Sequence, residues 1–107
     1  MYYNIIYKRL IYQSTAIKVS IPRQFCDALQ QPRFLKCELR ENKIFLTKDV
    51  NCSTQDIRKI HYSPISHSGT ITIPQIWVKN NNSPEFVRIT LTNNNKIIIS
   101  LIEEDKK

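Results

Sequence analysis

Glycine occurs once in these 107 residues, at position 69. Loops that cradle phosphates need several glycines in a short run, so the common mononucleotide and dinucleotide fingerprints are excluded. Cysteine is also scarce: Cys26, Cys37 and Cys52 are odd in number and widely spaced. No Cys-x-x-Cys pair or Cys and His cluster forms, so the cysteines read as small buried hydrophobes rather than metal ligands. His61 and His67 are the only histidines, and neither stands at a metal-ligand spacing. With no nucleophile elbow and no paired carboxylates, the expectation is a non-enzyme that needs no cofactor and no metal. Apolar runs such as Ile97-Ile98-Ile99 are strand-length and fall far short of the ~20 residues of a membrane-crossing helix. The start, Met-Tyr-Tyr-Asn, lacks a basic region followed by an apolar stretch, so the expected location is cytoplasmic with no membrane partner.

Acidic residues are the other shortage. Nine Asp and Glu face sixteen Lys and Arg, a net charge of +7. Clustered cations gain affinity for phosphates by releasing condensed counterions, so the imbalance points toward a polyanionic partner without naming it. Residues 1–52 carry nine basic and four acidic side chains, and residues 53–102 carry five and two. At 41% hydrophobic and 23% charged, the composition is that of one globular unit.

What the chain does have is a repeat. Val19-Ser20-Ile21-Pro22 returns as Ile71-Thr72-Ile73-Pro74, 52 residues on, and the flanks follow. At that shift Ile5 falls on Ile57, Phe25 on Trp77, Pro32 on Pro84, Phe34 on Phe86 and Leu39 on Leu91. After a one-residue slip at Asn93-Asn94-Asn95, Lys43-Ile44-Phe45-Leu46 meets Lys96-Ile97-Ile98-Ile99. Half of this chain is too short for an ordinary core of its own. Two copies, residues 1–50 and 51–107, are therefore expected to complete one another as one globular unit.

Alternation places strands at 3–12, 16–21, 34–40 and 43–48 in the first copy, and at 56–62, 70–73, 85–92 and 96–102 in the second. Pro22 and Pro74 suit the first turn of a helix, predicting helices over 23–30 and 75–80, the second shortened by Asn80-Asn81-Asn82-Ser83. Gly69 is expected to supply a positive φ in its turn. Ile21, Ile73, Leu39, Leu91, Phe25 and Trp77 form the expected shared core. The fold class is a β-rich α+β arrangement of two β-β-α-β-β repeats.

The stretch from Lys18-Val-Ser-Ile-Pro through Ala28-Leu29, continued by Leu39-Arg-Glu-Asn-Lys-Ile-Phe-Leu46, resembles the AbrB/MazE/MraZ superfamily of swapped-hairpin transcription regulators. The second copy keeps Thr70-Ile-Thr-Ile-Pro and Ile89-Thr-Leu, a looser match. The resemblance implies a pseudo-dimeric swapped-hairpin barrel built from both copies of one chain. It also implies that double-stranded DNA is bound by the first hairpin, the strand into Ile-Pro and the helix start. The family's basic residue ahead of Ile-Pro is Lys18 here and Thr70 in the second copy. Its helix arginines fall on Cys26-Asp27 and Val78-Lys79, leaving Lys79 as the one cation.

Further cations join that candidate surface. Lys8 and Arg9 match Arg58 and Lys59 in the first strands, near each other across the pseudo-dyad, and Arg23 opens the first helix. The alternative for these is solvated strand residues. Arg33, Lys36, Arg40 and Lys43 read as a charged outer face, and the tyrosines between cations read as strand formers or, less simply, as stacking groups. A second function stays open: a protein-binding inhibitor or antitoxin-like module on the same fold, with assembly of the pseudo-dimers into a homo-oligomer also open.

Overall fold

The computed structural model describes residues 4–48 and 56–102. In chain order these form β1 (Asn4–Arg9), β2 (Ile11–Tyr12), β3 (Ile17–Ile21), α1 (Arg23–Ala28), β4 (Phe34–Arg40) and β5 (Lys43–Thr47). There follow β6 (Asp56–Lys59), β7 (His61–Tyr62), β8 (Gly69–Thr72), α2 (Gln75–Asn80), β9 (Phe86–Leu91) and β10 (Ile97–Leu101). The strands make two antiparallel sheets, one in the order β1-β9-β10-β5-β4-β6 and one in the order β2-β3-β8-β7. The result is a strand-rich unit with two short helices. No helix among the described residues is long and apolar enough to cross a membrane.

Pairing crosses between the halves of the chain. β1 pairs with β9 and β6 with β4, so each half's first strand lies on the other half's second hairpin. β3 pairs with β8 through Val19↔Ile71, with Lys18↔Thr72 and Ser20↔Thr70 on either side. β5 pairs with β10 through Phe45↔Ile98, with Ile44↔Ile99 and Leu46↔Ile97 on either side. Exchanging the halves leaves both registers unchanged.

The strand expected over 3–12 is two strands in different sheets, and so is the one expected over 56–62. The chain bends at Leu10 and Ile60, both buried, whose amides donate to Glu85 O and Arg33 O and so add the last rung to the β1–β9 and β4–β6 ladders before the chain crosses to the other sheet. Just beyond the bends, the Tyr12 hydroxyl donates to Pro84 O at 2.6 Å and the Tyr62 hydroxyl to Pro32 O. Tyr12 and Tyr62 therefore occupy equivalent places, 50 residues apart rather than 52. The turn 63–68, closed by Ser63 N to Ser68 O, is longer than the turn closed by Gln13 N to Ala16 O, which absorbs the difference. Ile57 consequently matches Tyr7, not Ile5. The slip at Asn93-Asn94-Asn95 has its counterpart in the second hairpins. Glu41 and Asn42 form a two-residue turn with both φ positive, whereas the 92–96 turn takes one more residue and places Asn95 at φ 59.

The core is a continuous cluster of Val19, Ile21, Leu35, Ile44, Leu46, Ile71, Ile73, Val87, Ile89, Ile97 and Ile99 with their neighbours. Full burial of each such side chain favours folding by about 1.5–3 kcal/mol. Phe25 and Cys26 of α1 and Trp77 and Val78 of α2 seal it. Leu91 belongs to it, but Leu39 is 43% exposed and does not: it sits one pair from the turn that closes the β4–β5 hairpin, at the rim of the sheet.

The helices are equal in length, at six residues each, against the expectation of a shorter second one. Both end in two left-handed residues, Gln30-Gln31 and Asn82-Ser83. In each the second of these amides bonds back to the helix, Gln31 N to Cys26 O and Ser83 N to Val78 O, so backbone geometry rather than propensity sets the stop.

Gly69 does not have a positive φ; His67 carries that conformation, at φ 62. The glycine lies in β8 because a Cβ there would come 2.6 Å from Ile60 Cγ2 and 3.1 Å from Cys26 Sγ. Ile60 is buried and β-branched, so it yields poorly. Gly69→Ala is expected to cost roughly 1–3 kcal/mol, read from the urea midpoint.

Cys26 and Cys37 are buried free thiols; Cys52 lies outside the described residues. Burial, reinforced by nearby Asp56, pushes the Cys37 thiol up to about 11 from its ordinary 9.0. Burial pushes the Tyr62 hydroxyl up to about 12 from 10.0. In alkali the unfolded chain therefore loses these protons first, so stability held below pH 9 is lost as pH rises toward the folded values. The urea midpoint should fall steadily above about pH 9, and less steeply in Cys37→Ala.

Candidate nucleic-acid interface

The outer face of the β3–β8 pair is polar because alternation turns Val19, Ile21 and Ile71 inward. Lys18, Ser20, Thr70 and Thr72 are left facing out, each half-buried. β1 lies against β3 and β6 lies against β8, so this pair is bordered by Lys8 on one side and Arg58 on the other. Lys8 and Arg58 are thus not adjacent, as the matching strands suggested. They stand on opposite sides of the pair, because β1 reaches β3 and β6 reaches β8 from the other sheet.

Arg58 is the best-fixed cation of the set. Its Nε and Nη2 donate to Asp56 at 2.7 and 2.8 Å, and its Nη1 donates to Thr72 Oγ1 at 3.0 Å. The hydrogen bond to Asp56 raises its pKa further, so the guanidinium is charged at any working pH. Thr72 is in turn the cross-strand partner of Lys18. Thr72 and Arg58 line a polar hollow of about 320 Å³ that Gln75 of α2 also lines, with Lys18 next to it through this pairing. At the equivalent place in the other half, Ser20 and Thr70 are flanked by β1, which carries Lys8, and by the start of α1, which carries Arg23. Each half of the face thus holds two cations: Arg58 and Lys8 occupy matching positions of the repeat, whereas Lys18 and Arg23 do not.

The other sequence-predicted residues are scattered. Arg9 is on the outer face of the six-stranded sheet, 2.9 Å from Glu85 and 4.9 Å above the Phe86 ring. Arg23 is 3.5 Å from Asp27, one turn on in α1. Lys59 is exposed opposite Phe34 in β4, and Lys79 lies in the last turn of α2. Three of the seven predicted residues, Arg9, Arg23 and Arg58, already have an acidic partner. Lys8, Lys18, Lys59 and Lys79 have none among the described residues.

Sequence reasoning missed Thr72 and Arg88. Alternation in β8 already turns Thr72 outward, and alternation in β9, between inward Val87 and Ile89, turns Arg88 outward. Both signals are present in the apolar pattern. No group of three or more His, Cys, Asp or Glu able to hold a metal occurs among the described residues. Comparison with protein-family models, with curated proteins and with solved structures finds no match for this chain.

Proposed function

We propose that the chain is a non-enzymatic, DNA-binding transcription regulator of AbrB-like type. In this reading residues 1–50 and 51–107 are two repeats that interleave their hairpins into one pseudo-dimeric barrel, and it works without a cofactor. The observation that carries it is the crossed pairing, β1 with β9 and β6 with β4, about a central β3–β8 pair whose outer face presents Lys18 between the rims at Lys8 and Arg58.

A duplex laid on this face would place phosphates against both rims. Arg58 is preorganised by Asp56 and Thr72, but its contribution to the field is offset by the Asp56 carboxylate. The lysines without acidic partners would neutralise most of the phosphates. Binding should then be salt-dependent, with a log–log slope of about −0.9 for each phosphate neutralised. A titration of folded protein against random duplex at several salt concentrations tests this; absence of binding at about 50 mM salt would sink it.

A protein-docking reading on the same fold is favoured by a separate observation. Ile76 in the first turn of α2 is 59% exposed and Ile65 at the tip of the 63–68 turn is 89% exposed. Capture of a protein partner from nuclease-treated extract, abolished in Ile65→Ser/Ile76→Ser, would support that reading over DNA.

A further inference from the structure

The outer face of the six-stranded sheet lies apart from the β3–β8 surface and has its own chemistry. Tyr7, Arg88 and Ser100 are cross-strand neighbours in one row over β1, β9 and β10. Arg88 and Ser100 line, with Lys43, Thr90, Ile5 and Ile98, a hollow of about 350 Å³. Within it Arg88 Nε is buried without a hydrogen-bond partner. Such a donor is costly to leave unpaired, and an incoming anionic acceptor would satisfy it.

Charge on this face runs one way. Arg88, Lys43, Lys36 and Lys59 point outward with no ion-pair partner among the described residues. Two carboxylates accompany them, each held by an arginine: Glu38, 3.4 Å from Arg40, and Glu85 just before β9, 2.9 Å from Arg9. Aromatic rings stand among the cations: Phe86 and Phe34 are about two-fifths exposed, and Arg9 and Arg40 lie over the rings of Phe86 and Phe45. A second copy of a face so uniformly basic would be repelled. A partner with phosphates for the cations and flat rings for the aromatics fits both features, and cation–π geometry is already in place.

We propose that this face binds single-stranded nucleic acid, with one phosphate seated in the Arg88–Lys43 hollow, an adjoining base stacked at Phe86, and the strand continuing diagonally over the sheet to a second stacking position at Phe34, at its opposite corner. The proposal does not depend on duplex binding at the β3–β8 surface. It is tested by fluorescence anisotropy with labelled oligothymidine and oligouridine of about 12 nucleotides at about 50 mM salt.

The expected result is binding of both oligonucleotides, weakened roughly tenfold or more in Arg88→Gln/Lys43→Gln and roughly fivefold or more in Phe86→Leu/Phe34→Leu, with Lys18→Glu close to the parent. A preference for one of the two would assign the source as DNA or RNA within the same proposal. Failure of the folded parent to bind either, unchanged affinity in both double variants, or self-association that the Arg88→Gln/Lys43→Gln change abolishes would each overturn it. Circular dichroism of every variant separates these outcomes from misfolding. Loss of duplex binding in Lys18→Glu with single-strand binding intact would separate the two surfaces.

Discussion

Trp77→Ala is expected to remove about 3–5 kcal/mol of folding stability, the largest single-residue loss in the chain. Trp77 is 2% exposed and heads the fully buried side chains by volume. Its truncation leaves a cavity that a close-packed core fills only in part. A polar loss adds to this. The indole Nε1 donates to Asn42 O at 3.0 Å, and Asn42 sits at φ 62 in the two-residue turn between β4 and β5. That turn is held to α2 by paired amide hydrogen bonds between Asn42 and Asn81 as well. Trp77 therefore joins a helix of one half to a hairpin of the other. Trp77→Phe keeps most of the volume and should lose about 1 kcal/mol for the missing hydrogen bond beyond its packing change. Urea unfolding followed by circular dichroism gives both values; an unaltered midpoint in Trp77→Ala would contradict the placement.

The second large effect concerns duplex DNA. Lys8→Glu/Lys18→Glu should weaken binding roughly 100-fold at low salt and lower the salt slope by about 0.9 for each phosphate no longer neutralised. The reason is geometric: both lysines border the same β3–β8 face and neither is neutralised by an acid among the described residues. Asp56→Asn makes the opposite forecast. It removes the carboxylate that Arg58 holds at 2.7 Å while leaving the bond to Thr72 Oγ1, so a fixed cation at the rim loses its counter-charge. Affinity should rise several-fold and the slope should steepen by up to about 0.9. If Asp56→Asn leaves affinity unchanged, Arg58 serves the β6–β8 junction alone. If Lys8→Glu/Lys18→Glu binds duplex as the parent does, the interface is elsewhere.

The strand pattern is legible in the sequence where inward positions carry Ile, Val or Leu and outward positions polar groups, as in Ile17-Lys18-Val19-Ser20-Ile21. The helix starts are legible at Pro22 and Pro74 for an equally local reason. What sequence reasoning misses are features that depend on neighbours distant along the chain. Gly69 reads as a turn residue because glycine so often serves there, whereas its absent side chain makes room for Ile60 and Cys26. Leu39 reads as core by its match to Leu91, whereas its place near the end of a hairpin leaves it exposed. The bends at Leu10 and Ile60 are hidden because both residues continue the apolar alternation of one strand, while the residues just after them pair in the other sheet.

For the candidate interface the division is similar. Which residues are cations, and that they exceed the acids by seven, is a property of the chain. Which cations retain an unshared charge is not, because ion pairs join groups that the fold brings together: Arg9 with Glu85 is formed only when β1 reaches the other half's hairpin. The repeat and its apolar alternation specify two complementary halves, since local periodicity sets which face of each strand must be buried. The crossed partners of β1 and β6, the two-residue offset between Tyr12 and Tyr62, and the separation of two basic faces come from the packing of those halves, where side-chain volume and backbone hydrogen bonding must be satisfied at once.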